Sequence, residues 1–128
     1  MNPVSSCFSH TAILAIVDDD ASVLKAVPRL LRICGYRIEI FDSGQTFLDA
    51  LRDGNPDCVL LDLHMLGLTG WEVLAEMAAS GHSIPVIFIT GDGDPALFEK
   101  AMSIGAAALL HKPFSEQQLL EAIAAVME

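Results

Sequence analysis

The sequence predicts an α/β domain: an open five-stranded parallel sheet with helices on both faces. Short apolar runs alternate with longer stretches of helical periodicity, five of each. Several of the runs are apolar throughout, as strands buried on both faces of a parallel sheet should be. The length, 128 residues, suits one domain, and right-handed crossovers leave few topologies for such a chain.

The first strand is expected over residues 12–17, and Asp18, Asp19 and Asp20 follow it. Val23, Leu24, Val27, Leu30 and Leu31 then make one helical stripe. Pro28 falls inside that helix, where it removes a backbone hydrogen bond and should bend the axis. Gly35 marks its stop. The second strand, 37–41, precedes the stripe of Phe47, Leu48 and Leu51. The third strand, 58–61, ends in Asp62. Thr69 and Glu72 have capping-box spacing ahead of Val73, Leu74 and Met77. The fourth strand, 86–89, ends in Thr90. Asp94 with Pro95 is an N-cap followed by proline at the first helical position, opening the stripe of Leu97, Phe98, Ala101 and Met102. Gly105 closes that helix, and the fifth strand, 107–111, ends in Lys112 and Pro113. Ser115 with Gln118 is a second capping box, before Leu119, Leu120, Ile123 and Val126. Residues 1–11 carry no Lys or Arg and no long apolar core. They read as a short flexible extension ahead of a domain at 12–128, not as a secretory signal.

Composition narrows the function. Hydrophobic residues make up 52% of the chain, too many for a disordered one. The longest apolar runs are six residues, against the roughly 20 that a spanning helix needs. A formal charge of −10 argues against a direct grip on nucleic acid and suits a basic partner or a bound cation. Three cysteines, Cys7, Cys34 and Cys58, cannot all pair and have no ligand spacing, which fits a reducing cytoplasm.

Ligands of open α/β sheets sit at the carboxyl ends of the strands. Those ends bring together Asp18, Asp19 and Asp62, the Thr90 hydroxyl and the Lys112 ammonium. A lone aspartate after a strand is most often an N-cap, and Asp20 suits that role. The whole set is different. Clustered carboxylates repel unless a cation joins them, so Asp18, Asp19 and Asp62 make a candidate Mg²⁺ site with places left for water and phosphate. Asp62 is then a candidate nucleophile toward phosphorus, forming an acyl phosphate, with Lys112 and Thr90 to take other phosphoryl oxygens. His64 reads as a solvated neighbour, and His10, His82 and His111 show no ligand spacing. Trp71 reads as helix packing. Phe98, Met102 and Leu109 form either an exposed apolar face or part of the core.

These residues resemble the receiver domain of response regulators in two-component systems. The carriers are Val17-Asp18-Asp19, the stretch Leu61-Asp62-Leu63-His64-Met65, the run from Ile84 to Gly91, and Gly105-Ala106 leading to Lys112-Pro113-Phe114. The likeness covers residues from about 13 to 127, and its run from Ile84 to Phe114 most resembles the subgroup with helix-turn-helix output domains. It implies the flavodoxin-like strand order 2-1-3-4-5. It also implies Asp62 as phosphoacceptor, and Mg²⁺ (or Mn²⁺) held by Asp18, Asp19, Asp62 and the backbone carbonyl of His64. Thr90 becomes the switch hydroxyl, Lys112 the phosphate-binding lysine, and Lys112–Pro113 a candidate cis peptide. A sensor histidine kinase would donate the phosphoryl group. The face made by the fourth helix, fifth strand and fifth helix would then change for an output domain, a partner protein or a second copy in a dimer. Two positions depart from the pattern: Leu66 stands where proline is usual, and Leu109 where the switch aromatic is usual.

Other readings compete. An aspartyl-nucleophile phosphatase would want an acid two residues after Asp62, where His64 stands, and a cap domain. A nucleotide-binding module would want a Gly-rich loop after the first strand, where three aspartates stand. A degenerate receiver, working as an interaction module without phosphate, is argued against by the intact acidic, hydroxyl and lysine set. The expectation is therefore a cytoplasmic bacterial signalling module that catalyses only its own phosphoryl transfer and dephosphorylation. His64 and Asp92 should line the water approach to phosphorylated Asp62, and a contact between them would tune its hydrolysis.

Overall fold

Residues 12–127 are described by the computed structural model. Strands β1 (Ile13–Val17), β2 (Arg37–Phe41), β3 (Cys58–Asp62), β4 (Val86–Thr90) and β5 (Ala108–His111) form one sheet in the order β2-β1-β3-β4-β5. All four pairings are parallel. The central strands β1, β3 and β4 are buried almost throughout, while β2 and β5 lie at the edges and are partly exposed. That difference explains why the central runs are continuously apolar and why β2 tolerates Arg37 and Glu39.

Four helices connect the strands and a fifth follows the last: α1 (Ala21–Ile33), α2 (Gly44–Ala50), α3 (Gly70–Ala79), α4 (Pro95–Ser103) and α5 (Glu116–Met127). Their starts follow local chemistry. The side chains of Asp20, Ser43 and Asp94 each accept an amide hydrogen bond at an N-cap. Thr69 with Glu72, and Ser115 with Gln118, make reciprocal capping bonds. Gly35 and Gly105 follow α1 and α4 with φ of 94° and 95°, values that side-chain-bearing residues rarely adopt.

The helices divide between two cores. Val27 and Leu31 of α1 and Leu119 and Ile123 of α5 pack on Leu14, Ile16, Leu60, Ile87 and Ile89. Phe47, Val73, Met77 and Ala101, from α2, α3 and α4, pack on Ala15, Val17, Val59, Leu61 and Phe88. The period-2 alternation of strand side chains sends neighbouring residues to opposite cores.

Three sequence expectations need correction. Asp62 and Thr90 are the last residues of their strands, not the residues beyond them, because Asp62 still pairs with Ile89 and Thr90 with His111. The first and last strands each begin one residue later than expected. Pro28 does not interrupt α1, which is assigned unbroken over its 13 residues. The proline is buried between Val27 and Leu31, so its ring contributes packing that offsets the missing N–H. The expected extension at residues 1–11, including Cys7 and His10, lies outside the described residues.

Candidate functional site

The crossover from β1 to β2 runs to one side of β1, and β3 adds on the other. This reversal opens a crevice at the carboxyl ends of β1 and β3. Asp18 and Asp19 follow β1 and Asp62 ends β3, so the crevice is lined with carboxylates. One oxygen from each of these three residues lies within 4.8 Å of the others.

Each carboxylate has different partners. Asp18 is fully buried; its Oδ1 accepts from the Asp20 amide at 2.9 Å. Its Oδ2 has no aligned hydrogen-bond donor, although the Lys112 ammonium lies 3.1 Å away. Asp62 is also buried; its Oδ1 accepts from the His64 amide at 3.2 Å, and its Oδ2 lies 3.6 Å from the same ammonium. Asp19 is exposed and accepts from the Leu66 amide at 3.1 Å. Lys112 thus spans the two buried acids from the end of β5. Its own amide donates to the Thr90 carbonyl at 2.7 Å, and its peptide bond to Pro113 is cis.

The charges shift one another. Burial, then the adjoining Asp18 carboxylate, pushes the Asp62 carboxyl up to about 6; the His64 amide and Lys112 pull the other way. Burial also acts against the Lys112 ammonium, but the contact with Asp18 and the charges of Asp18, Asp62 and Asp20 outweigh it and raise its pKa. Lys112 is therefore cationic at neutral pH. Thr90 is buried, and its Oγ1 accepts from the Asp92 amide at 3.0 Å, which leaves its own O–H proton to donate.

The donor set suits a hard divalent cation. Three carboxylates, one with a buried oxygen lacking an aligned donor, match the oxygen preference of Mg²⁺ or Mn²⁺. The site is a polar crevice at a sheet edge. A cleft of about 480 Å³, lined by Gln45, Arg52, Glu76 and His82 among others, lies elsewhere, between α2 and α3.

Five of the residues singled out from sequence thus converge: Asp18, Asp19, Asp62, Thr90 and Lys112. His64 and Asp92 do not pair. Both are exposed, no ion pair joins them among the described residues, and Asp92 Oδ1 accepts instead from the Asp94 amide at 3.0 Å. The contact expected between them is absent among the described residues, and Asp92 Oδ1 belongs instead to the turn that leads into α4. The trio Phe98, Met102 and Leu109 divides: Phe98 is 54% exposed, while Met102 and Leu109 pack on the core around Phe88 and Trp71. Trp71 packs against Phe88 with ring centroids 5.0 Å apart and planes tilted by 58°, and the Lys100 ammonium sits 4.3 Å from the Trp71 ring centroid.

Sequence reasoning missed Gly70. A Cβ there would lie 2.5 Å from the Asp62 carbonyl oxygen and 2.9 Å from Leu63 Cα, so α3 begins pressed against the backbone at the end of β3. The Thr69 cap located the helix start, but nothing local indicated what the next residue would face.

The model of the response regulator receiver domain matches residues 14–124. The response regulator protein TodT of Pseudomonas putida is 37% identical over 119 residues, covering 93% of this chain and 52% of that protein. The transcriptional regulatory protein FixJ of Bradyrhizobium diazoefficiens is 39% identical over 104 residues, covering 81% of this chain and 51% of its own. Among solved structures, a response regulator receiver protein from Burkholderia phymatum superposes with a TM-score of 0.82 at 42% identity, covering 91% of this chain and 95% of that one. The chain spans about half the length of the curated relatives it matches.

Proposed function

Because the chain belongs to the response regulator receiver domains of two-component systems, we propose that it accepts a phosphoryl group on Asp62 from a sensor histidine kinase. The observation that carries this reading is the placement of Asp62 at the end of β3, its Oδ2 3.6 Å from the Lys112 ammonium and beside the acids Asp18 and Asp19.

In this reading an Asp62 carboxylate oxygen attacks phosphorus of a phosphohistidine. The O–P bond forms as the N–P bond breaks, and the imidazole leaves with its electron pair. Asp18, Asp19, Asp62 and the His64 carbonyl would hold Mg²⁺, which when bound supplies positive charge against the incoming phosphate. Lys112 would pair with a phosphoryl oxygen, a role that the position of its ammonium in the crevice supports. The Thr90 hydroxyl has a proton to give to another, and moving toward it would tug the Asp92 amide and the start of α4. This links chemistry at Asp62 to the face formed by α4, β5 and α5, where we place the contact with an output region, a partner or a second copy. We read the chain as cytoplasmic and as having no turnover beyond its own phosphorylation and dephosphorylation.

Incubation with a small phosphodonor and Mg²⁺ tests the reading. Intact-mass spectrometry should show one added phosphoryl group, absent from Asp62→Asn. Equal labelling of that variant would reject Asp62 as the acceptor.

A further inference from the structure

We infer that the backbone amide of Leu66 is a positioning group for Asp19, holding its carboxylate in place for the divalent cation. The inference rests on the metal reading above and adds a residue to it.

Asp19 differs from its two neighbours. Asp18 and Asp62 both face the Lys112 ammonium and each accepts a bond from a nearby amide. Asp19 has no cationic partner among the described residues, and its carboxylate accepts one hydrogen bond, from Leu66 N–H at 3.1 Å across 47 positions of sequence. Without that bond, an exposed carboxylate beside two others would swing toward water, because like charges repel and its rotamers are free. With it, an Asp19 oxygen stays within 4.8 Å of oxygens from Asp18 and Asp62. The held pose is thus already that of a cation ligand.

The loop is built to aim this amide. Met65 is buried and Leu68 packs against the same core, so the segment is anchored on both sides. Gly67, at φ 78°, turns the chain between them. The Leu66 side chain is 88% exposed, so this residue serves the site through its main chain and not through packing. Fixing Asp19 before the cation arrives removes an ordering cost from binding.

Two replacements remove the N–H. One is Leu66→Pro; the other is an ester in place of the Leu66 amide, which keeps the leucine side chain and leaves the His64 carbonyl untouched. Mg²⁺ is titrated by two-dimensional NMR, following the Asp18 and Asp62 amides, with the Gly105 and Ala108 resonances reporting an intact fold. Both replacements should weaken Mg²⁺ roughly fivefold, while Leu66→Ala, which keeps the N–H, should bind as the native chain does. In an Asp19→Ala background the ester should have no further effect. In the metal-free protein the Leu66 amide should be protected from hydrogen exchange, and Asp19→Ala should abolish that protection. Native affinity in the ester protein, or an unprotected Leu66 amide, would overturn the inference alone. Failure of the unsubstituted protein to respond to Mg²⁺ would remove the metal reading and this inference with it.

Discussion

His64 and Asp92 are two exposed side chains at the rim of the carboxylate crevice, each tied by its own backbone to a site residue: the His64 amide bonds Asp62, and the Asp92 amide bonds Thr90. Because no ion pair joins their side chains among the described residues, each should act on water independently. The decay rate of the phosphorylated protein, measured for His64→Ala, Asp92→Ala and the double variant, should show effects that add to within about 0.5 kcal/mol. A larger coupling term would mean that the two groups meet once phosphate is present. Cys58 makes a different prediction, in the core. Burial pushes its thiol up to about 12 from the ordinary 9.0. The folded chain therefore keeps a proton that the unfolded chain releases. The stability this represents is fully present below the unfolded pKa and is lost as pH rises from there toward the folded value, by at most about 1.4 kcal/mol per pH unit. Urea unfolding between about pH 8 and pH 11 should show a steeper loss in the native protein than in Cys58→Ala. Parallel profiles would show that Cys58 does not titrate differently in the two states.

At the scale of elements, the contact between α3 and β3 matters most to the site. The first residue of α3, Gly70, donates its amide to the Leu63 carbonyl at 3.0 Å and leaves no room for a Cβ against the Asp62 backbone. Gly70→Ala must therefore move either the helix or the strand that carries Asp62. We expect a loss of about 1–3 kcal/mol in denaturant unfolding, together with slower labelling of Asp62 in the fraction that remains folded. Native stability with native labelling would show that α3 can retreat without disturbing β3. On its other side, α3 holds Trp71 between Phe88 of β4 and Lys100 of α4. Leu109, paired in register with Phe88, packs into the same core. The buried aromatic packing in this part of the molecule thus comes from α3 and β4, and β5 contributes an aliphatic side chain.

For the molecule as a whole, the main electrostatic fact is an excess of acid, −10 over the chain, with three carboxylates concentrated at one end of the sheet. A cation that binds the folded state and not the unfolded one must stabilise it by mass action. Mg²⁺ at ten times its dissociation constant should contribute roughly 1.4 kcal/mol, raising the Tm by several degrees. Chelation should reverse the shift, and Asp18→Asn should largely remove it. A Tm that Mg²⁺ moves equally in Asp18→Asn would assign the effect to general screening of surface charge. The two cores on either face also hold the strand ends together independently of the carboxylates clustered there.

The sequence by itself determined the elements and the reactive set. Apolar runs, caps and glycine stops are local properties, and each of the five strands and five helices can be located from its own residues and near neighbours. The same local logic put Asp18, Asp62, Thr90 and Lys112 at strand ends, where parallel topology makes all the carboxyl ends share one edge. Tertiary structure decided what depends on neighbours distant in sequence. Strand pairing carried β3 through Asp62 and β4 through Thr90, one residue further than their apolar runs. Core packing let α1 run through Pro28. Spatial proximity alone brought the Leu66 amide to Asp19 and pressed Gly70 onto β3. A hydrogen bond between residues 47 positions apart has no local signal, because neither its distance nor its direction exists until the sheet has closed.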